Sequence, residues 1–392
     1  MRSFEYYTPT KVIFGKDTHL KIGEILKDYN CHKILIHYGG KSAVKSGLID
    51  DIKKCLTDAG FDFVTLGGVV PNPRLSKVRE GISLCRKENI DFILAVGGGS
   101  VIDSAKAIGY GMANECDVWD LYSQKSRPSG CLPVGTVLTI AAAGSEMSDS
   151  SVITNDMTWQ KRGLSSDYSR CRFAVLNPEL TYTLPPYQTA CGCVDILMHT
   201  MERYFTTDKN TGLTDEISEA LMRTVLHNAK IVIDQPYDYT ARAEIMWAGS
   251  LAHNGLTGCG RTGDWASHQL EHELSGMFDV AHGAGLAAIW SSWARYVYQT
   301  DAERFARFAV QVMGISEQSQ TQEELALEGI SAMERFYHQI GMPVSISELG
   351  VLLTEEQCRQ LAYHCSFEGT RSIGGFRTLD QFDMEQIYKS AR

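Results

Sequence analysis

The sequence lacks the features of membrane, secreted and nucleic-acid-binding proteins. No apolar run approaches the length that spans a bilayer, and the start, MRSFEYYTPTKVIFG, has no apolar signal-peptide segment. The eleven cysteines form no C-x-x-C pair and no dense block, so we expect reduced thiols in a cytoplasmic protein. The net charge of −10 carries no long run of one sign, which argues against a nucleic-acid surface.

The length of 392 residues, 44% of them hydrophobic, predicts two domains. In the first half, apolar runs alternate with amphipathic stretches. Strands are predicted at Lys33–Tyr38, Phe61–Leu66 and Asp91–Val96, and helices at Ser46–Ala59 and Leu75–Glu88. This alternation is typical of βαβ units that form a mostly parallel sheet with both faces covered.

The pattern changes after the pair Pro185-Pro186, which suits a boundary just before a helix. From there to the end the pattern is helical, with few strand-like runs. We therefore predict an α/β, Rossmann-like dinucleotide-binding domain over residues 1–187 and an all-helical domain over residues 188–392.

A glycine segment, Gly97-Gly98-Gly99-Ser100, lies between a predicted strand and a predicted helix. Glycines allow close backbone approach to a ligand, and the helix start offers free N–H groups and a positive dipole end. These features favour a pyrophosphate site. A tight turn that only packs a helix on a sheet has the same pattern, and neither the GxGxxG nor the P-loop spacing is present.

The end of the first strand bears on the choice of cofactor. An acidic residue there often binds the ribose hydroxyls of NAD, but here the strand is followed by Gly39, Gly40, Lys41 and Ser42. Glycine amides, a hydroxyl and an ammonium group suit a phosphate dianion. We therefore predict a preference for NADP(H) over NAD(H), the alternative being that Lys41 is a solvated surface lysine.

Candidate metal ligands cluster in the second half. Asp195 and His199 form an i, i+4 pair on one predicted helix, His268 and His272 form another, and His282 follows. Nitrogen and oxygen donors in this ratio suit a divalent ion such as Fe²⁺ or Zn²⁺. Spacing alone decides neither whether these side chains converge nor which histidines bind.

Several ordered motifs together resemble the iron-containing, or group III, alcohol dehydrogenases, and within them the butanol dehydrogenase and NADPH-dependent aldehyde reductase branch. The resemblance extends over nearly the whole chain. The motifs are Phe14-Gly15, Tyr38-Gly39-Gly40, Val96–Lys106, Gly144-Ser145-Glu146-Met147, Tyr182–Pro186, Val194-Asp195 with His199-Thr200, Asp264–His268 with His272-Glu273-Leu274, and His282-Gly283.

The resemblance implies the dehydroquinate synthase-like fold of this family and hydride transfer between NADP(H) and a small aliphatic alcohol or aldehyde. It implies a homodimer, a metal bound by Asp195, His199, His268 and His282, and a proton-transfer role for His272. Asp103 would approach the nicotinamide. Further cofactor contacts would come from Gly97, Gly98, Gly99, Ser100, Asn72, Thr139, Lys161 and Leu180.

Two other interpretations are weighed against this one. A glycerol dehydrogenase or dehydroquinate synthase shares the fold with different ligands, and the Asp195-x-x-x-His199 spacing and acid-free strand end argue against both. A non-catalytic nucleotide- or metal-binding protein is the alternative from another class. It predicts bound metal without NADPH oxidation by aliphatic aldehydes.

Overall fold

The computed structural model describes residues 1–317 and 320–392. The chain forms two compact units, one of Tyr7–Leu184 and one of Met1–Tyr6 together with Pro185–Arg392. The first six residues were counted with the first domain in the sequence prediction. They belong with the helical unit because Arg2 donates its backbone N–H to the Gly260 carbonyl at 2.9 Å and pairs with Asp208 at 2.7 Å.

The Tyr7–Leu184 unit is built on a parallel sheet. Its strands are β1 (Lys11–Phe14), β2 (Lys33–Tyr38), β3 (Asp62–Leu66), β4 (Phe92–Gly97), β5 (Val134–Leu138), β6 (Ser150–Asn155), β7 (Gln160–Ser165) and β8 (Phe173–Leu176). The six-stranded sheet has the order β1-β8-β5-β4-β2-β3 with parallel neighbours throughout, whereas β6 and β7 form a separate antiparallel hairpin. The predicted parallel sheet is confirmed.

Helices cover both faces of this sheet. They are α1 (Ile22–Leu26), α2 (Ser42–Lys45), α3 (Leu48–Ala59), α4 (Leu75–Glu88), α5 (Gly99–Ala113) and α6 (Val118–Tyr122). Ile34 and Ile36 of β2 pack in one core cluster with Ile52 of α3. Side chains alternate along a strand, so His37 points to the opposite face, where it bonds Ser104 of α5.

The second unit is largely helical, as predicted. Its helices are α7 (Pro186–Tyr204), α8 (Gly212–Asp234), α9 (Tyr239–His253), α10 (Ala266–Phe278), α11 (His282–Val297), α12 (Ala302–Gln311), α13 (Gln322–Gln339), α14 (Glu355–Cys365) and α15 (Gln381–Ser390). Helix α7 is buried on almost every side from Thr189 onward and contacts α8, α9 and α11. It is the central helix of this unit.

None of the helices in the described part of the chain combines the length and apolar character required to cross a membrane.

Candidate active site

Helix α7 carries the first two predicted metal ligands. Asp195 and His199 are 5% and 4% exposed. The helical repeat places them on one face, one turn apart. Burying a carboxylate costs free energy unless a nearby group compensates its charge. The groups around Asp195 therefore show what offsets that cost.

Helices α10 and α11 bring two imidazoles to the same carboxylate. Oδ1 of Asp195 lies 4.0 Å from Nε2 of His268 and 3.8 Å from Nε2 of His282, the first residue of α11. A ligand atom from each of these three residues lies within 4.8 Å of the other two. Atoms 3.8 to 4.0 Å apart can both bind one ion, because two bonds of about 2.1 Å span up to about 4.2 Å.

His199 lies beside this triad. Its ring centroid is 4.5 Å from that of His268, and its Nδ1 is 2.9 Å from Oδ1 of Asp195. That Nδ1 makes its hydrogen bond to the Asp195 backbone carbonyl oxygen, also at 2.9 Å. The structure thus brings three of the four predicted ligands into one cluster and places the fourth against it.

The cluster has unsatisfied polar atoms where a metal would bind. Within residues 1–317 and 320–392, neither Asp195 Oδ1 nor His268 Nε2 has a hydrogen-bond partner, although both atoms are buried. Such groups are rare because each costs the free energy of losing its water. One carboxylate and two imidazole nitrogens facing each other fit a divalent cation of the iron or zinc type.

Each of the three imidazoles is held in its orientation by a hydrogen bond at Nδ1. Nδ1 of His199 bonds the Asp195 carbonyl, Nδ1 of His268 bonds Glu202 at 2.9 Å, and Nδ1 of His282 bonds Glu271. Each partner is an oxygen acceptor, so Nδ1 donates and Nε2 keeps its lone pair. In His268 and His282 that Nε2 faces Asp195, which is typical of metal-binding histidines, whereas in His199 it is Nδ1 that lies near the Asp195 carboxylate.

The charges of the cluster favour the forms that bind a metal. Burial alone would raise the pKa of Asp195, but the imidazoles of His199, His282 and His268 hold that pKa at about 2. Burial, together with repulsion from its neighbours His199 and His282, holds the pKa of His268 well below 6.5. The ionised carboxylate of Asp195 and the neutral imidazole of His268 are the forms that metal binding requires.

His272 lies one turn after His268 on α10 and is half-buried. Its ring centroid is 5.7 Å from that of His282 and 6.4 Å from that of His268. It forms a second close group with Glu271 and His282, which shares only His282 with the Asp195 group. His272 is therefore next to the cluster but is not one of the residues whose ligand atoms converge with Asp195.

Sequence reasoning missed three residues around the cluster. Glu202 and Glu271 are buried carboxylates that bond the imidazoles of two predicted ligands, His268 and His282. His253, at the end of α9, packs its ring 4.0 Å from that of His199. The sequence did offer one signal for the two glutamates, because each lies within three residues of a candidate histidine: Glu202 of His199, and Glu271 of His268 and His272.

The predicted nucleotide residues lie at the carboxyl edge of the parallel sheet. Gly39, Gly40, Lys41 and Ser42 follow β2, Gly97 ends β4, and Thr139 follows β5. Thr139 donates its N–H to the Gly97 carbonyl at 3.0 Å, which ties two of these strand ends together. The chain leaves β2 toward β3 and leaves β4 in the opposite direction, toward β5, so this edge holds a topological switch point, where such sheets bind ligands.

The glycine segment opens α5. Gly98 is the N-cap, and Gly99 and Ser100 are the first helical residues, whose N–H groups have no acceptor within the helix. A Cβ added to Gly98 would lie 2.0 Å from Cγ2 of Ile140. Only glycine fits here, because the segment after β5 approaches the helix start so closely.

Asp103 on α5 lies within electrostatic reach of Lys161 on β7. Oδ2 of Asp103 accepts the Val152 backbone N–H at 3.0 Å, whereas Oδ1 is buried without a partner among the residues that the structure describes. Burial raises the pKa of Asp103 to about 6, although the positive charges of Lys106 and Lys161 act to lower it. An unfilled acceptor here fits an N–H donor of a ligand.

The two remaining cofactor candidates are placed separately. Asn72 is buried and has a left-handed backbone, with φ of 54°, in the segment before α4. Leu180 follows β8 in a short 3₁₀ helix and packs against the core cluster of the sheet.

Comparison with known proteins agrees with this geometry. Residues 9–178 match the family model for iron-containing alcohol dehydrogenase, and residues 189–392 match the C-terminal model of the Fe-containing alcohol dehydrogenase family. A probable NADH-dependent butanol dehydrogenase of Bacillus subtilis is 40% identical over 100% of both chains, and an NADPH-dependent aldehyde reductase of Escherichia coli is 34% identical, also over 100% of both. The crystal structure of an NADH-dependent butanol dehydrogenase of Thermotoga maritima superimposes with a TM-score of 0.95 at 38% identity, covering 100% of this chain and 99% of the other. The chain belongs to the iron-containing alcohol dehydrogenase family.

Proposed function

We propose that the chain transfers a hydride between a nicotinamide dinucleotide and a small aliphatic primary alcohol or aldehyde, using one divalent metal ion. Membership of the family makes the chain an oxidoreductase of alcohols or aldehydes. The observation that carries the metal dependence is the approach of Nε2 of His268 and Nε2 of His282 to one buried oxygen of Asp195.

The residues proposed to hold the ion are Asp195, His199, His268 and His282. When bound, the ion, Fe²⁺ or Zn²⁺, supplies Lewis-acid polarisation of the substrate oxygen. Asp195 contributes the negative charge that offsets the cation, and the neutral imidazoles contribute lone pairs held in place at Nδ1.

His272 is proposed to move the proton that accompanies hydride transfer. Its imidazole is half-buried beside His282, so a ring nitrogen can exchange protons with water next to the proposed metal site. In aldehyde reduction it would donate this proton to the substrate oxygen, and in alcohol oxidation it would accept it.

The nucleotide is proposed to lie on the carboxyl edge of the sheet. The first-turn amides of Gly99 and Ser100 would donate to the pyrophosphate, and their fixed orientation makes the site ready without rearrangement. Asp103 would accept an N–H of the nicotinamide carboxamide at its unfilled Oδ1.

A preference for NADP(H) is the finer part of the proposal. Its support is the absence of a carboxylate from residues 39–42, with Lys41 and Ser42 exposed at the end of β2. Relatives of both kinds exist, since the B. subtilis relative is named NADH-dependent and the E. coli one NADPH-dependent. Comparing kcat/KM for the two cofactors decides the preference.

Assembly as a homodimer and a cytoplasmic location stay predictions from the family resemblance and the cysteine pattern. Light scattering of the purified chain at several concentrations tests the first of them.

The function is tested by following NADPH and NADH oxidation with aldehydes of increasing chain length, with metal content measured on the same sample. We expect turnover with aliphatic aldehydes and one metal ion per chain. A protein that binds metal and nucleotide yet oxidises neither cofactor with any aldehyde would contradict the proposal and favour the non-catalytic alternative.

A further inference from the structure

A buried glutamate links the two helices that carry most of the cluster. Glu202 lies on α7, seven residues after Asp195, and is 2% exposed. A carboxylate at this depth is costly unless hydrogen bonds compensate for the lost water. Its partners therefore show what it stabilises.

The hydrogen bonds that the structure describes for its carboxylate come from the start of α10. Oε1 of Glu202 accepts the backbone N–H of His268 at 2.8 Å and Nδ1–H of the same residue at 2.9 Å. The carboxylate also accepts the backbone N–H of Trp265, and the Glu202 carbonyl accepts the N–H of Asp264 at 2.6 Å. A single side chain thus binds both the backbone and the ring of one proposed ligand.

The two hydrogen bonds from His268 to Glu202 have three consequences. The backbone bond sets where α10 begins, the ring bond sets the rotation of the imidazole, and acceptance at Nδ1 leaves the lone pair on Nε2. The residue before α10, Trp265, has a left-handed backbone with φ of 66° and makes no side-chain cap. A strained residue at this position persists only where its surroundings hold it.

We propose that Glu202 is a positioning residue for the metal: it orients His268 so that Nε2 faces Asp195 and His282. This inference rests on the proposed function, because it assumes that the cluster binds a divalent ion. The competing explanation is that Glu202 only caps α10 and stabilises the fold.

The chain offers a matched control for that explanation. Asp264 is 3% exposed and also binds the start of α10, through Oδ2 to the Ala266 N–H at 3.0 Å. Its Oδ1 accepts the Phe376 N–H at 2.8 Å. Among the hydrogen bonds of the described residues, Asp264 makes none with a proposed ligand imidazole, so Asp264→Asn perturbs the same helix end while keeping the Glu202 carboxylate as the acceptor of His268.

The experiment uses the complete chain, stripped of metal and titrated with Co²⁺. The readouts are the Co²⁺ dissociation constant, the visible absorption of bound Co²⁺, and the thermal midpoint of the metal-free protein. For Glu202→Gln we expect Co²⁺ affinity to fall about 10- to 100-fold, because a neutral amide binds the imidazole less strongly than a carboxylate. We also expect a changed visible spectrum, whereas Asp264→Asn should lower the thermal midpoint and keep the wild-type spectrum.

Two results would overturn the inference. One is wild-type affinity and spectrum in Glu202→Gln, and the other is the same spectral change in Asp264→Asn, since helix capping alone would then explain both variants. Failure of the wild-type chain to bind Co²⁺ would instead overturn the proposed metal site itself. Should Glu202→Gln not fold, Glu202→Asp withdraws the carboxylate by one methylene from His268 and is judged by the same criteria.

Discussion

Oδ1 of Asp195 and Nε2 of His268 lie 4.0 Å apart, and both are buried without a hydrogen-bond partner in the described residues. The distance is too long for a hydrogen bond and short enough for two ligands of one ion. Buried polar atoms without hydrogen bonds are rare, and packing does not explain two of them side by side. A bound cation would satisfy both.

The first prediction separates the two histidines of α10. His268→Ala removes a proposed ligand, so metal content and activity should fall together to near background. His272→Ala removes only the proposed proton donor, so the metal should stay bound while kcat falls about 100-fold or more. Metal analysis and steady-state rates on the same preparations check both outcomes, and full activity of a metal-free His268→Ala protein would contradict the assignment.

The second prediction concerns cofactor choice. Lys41→Ala should lower kcat/KM for NADPH about tenfold and leave that for NADH nearly unchanged, because a charged hydrogen bond to a phosphate contributes about 1.5 kcal/mol or more. Lys45→Ala is the control, since Lys45 is an exposed lysine at the end of the short helix α2, which starts directly after Lys41. Equal losses with both cofactors, or in both variants, would show that Lys41 is only a surface charge.

The third prediction concerns the close approach at Gly98. Gly98→Ala should lower the thermal midpoint, because its Cβ would lie 2.0 Å from Cγ2 of Ile140. Ile140→Ala removes that methyl group with the rest of the side chain beyond Cβ, so Gly98→Ala should lower the thermal midpoint less in the Ile140→Ala background than in the wild type. If the glycine also lets the nucleotide approach the backbone, the KM for the cofactor stays raised in the double variant. No loss of stability in Gly98→Ala would contradict the proposed packing.

The fourth prediction is a pH dependence of stability from His37. Burial lowers its pKa from 6.5 to about 4, while its ring bonds Ser104 and the Leu66 carbonyl at 2.9 Å each. A lowered pKa means that the unfolded chain binds the proton more readily. The titration of His37 therefore leaves the free energy of unfolding unchanged above pH 6.5 and decreases it as the pH falls toward about 4. The total decrease is on the order of 3 kcal/mol.

Urea unfolding of the wild type and of His37→Gln across this window measures the effect. The stability difference between the two should shrink as the pH falls. His32→Gln, which changes an exposed histidine nearby, should keep the wild-type pH dependence. Parallel pH profiles for the wild type and His37→Gln would contradict the prediction.

Part of the site follows from sequence because some geometry is local. The helical repeat alone places Asp195 beside His199 and His268 beside His272, and the switch between strand and helix at Gly97 predicts the start of a helix. The distance between α7 and α10 depends on the packing of whole helices. Sequence spacing could therefore not show that Asp195 meets His268 and His282 while His272 lies outside that group.

Other features carry no local signal. Glu202 and Glu271 resemble ordinary surface acids of a helix, and only packing shows that they are buried. The strand Gln160–Ser165 is polar and contains a glycine, so its sequence does not favour a strand, and pairing with β6 determines its conformation. The first six residues have no periodic pattern, and their place with the helical unit depends on contacts with distant residues.

The central claim is that one divalent ion, bound at Asp195, makes the chain an alcohol and aldehyde oxidoreductase. The most direct measurement is to remove metal with a chelator, titrate Fe²⁺ or Zn²⁺ back, and follow aldehyde-dependent NAD(P)H oxidation, in the wild type and in Asp195→Asn. We predict activity that is lost on chelation, returns in proportion to added metal and saturates at one ion per wild-type chain, with no recovery in Asp195→Asn. Undiminished activity in the metal-free wild type, or full recovery in Asp195→Asn, would contradict the account.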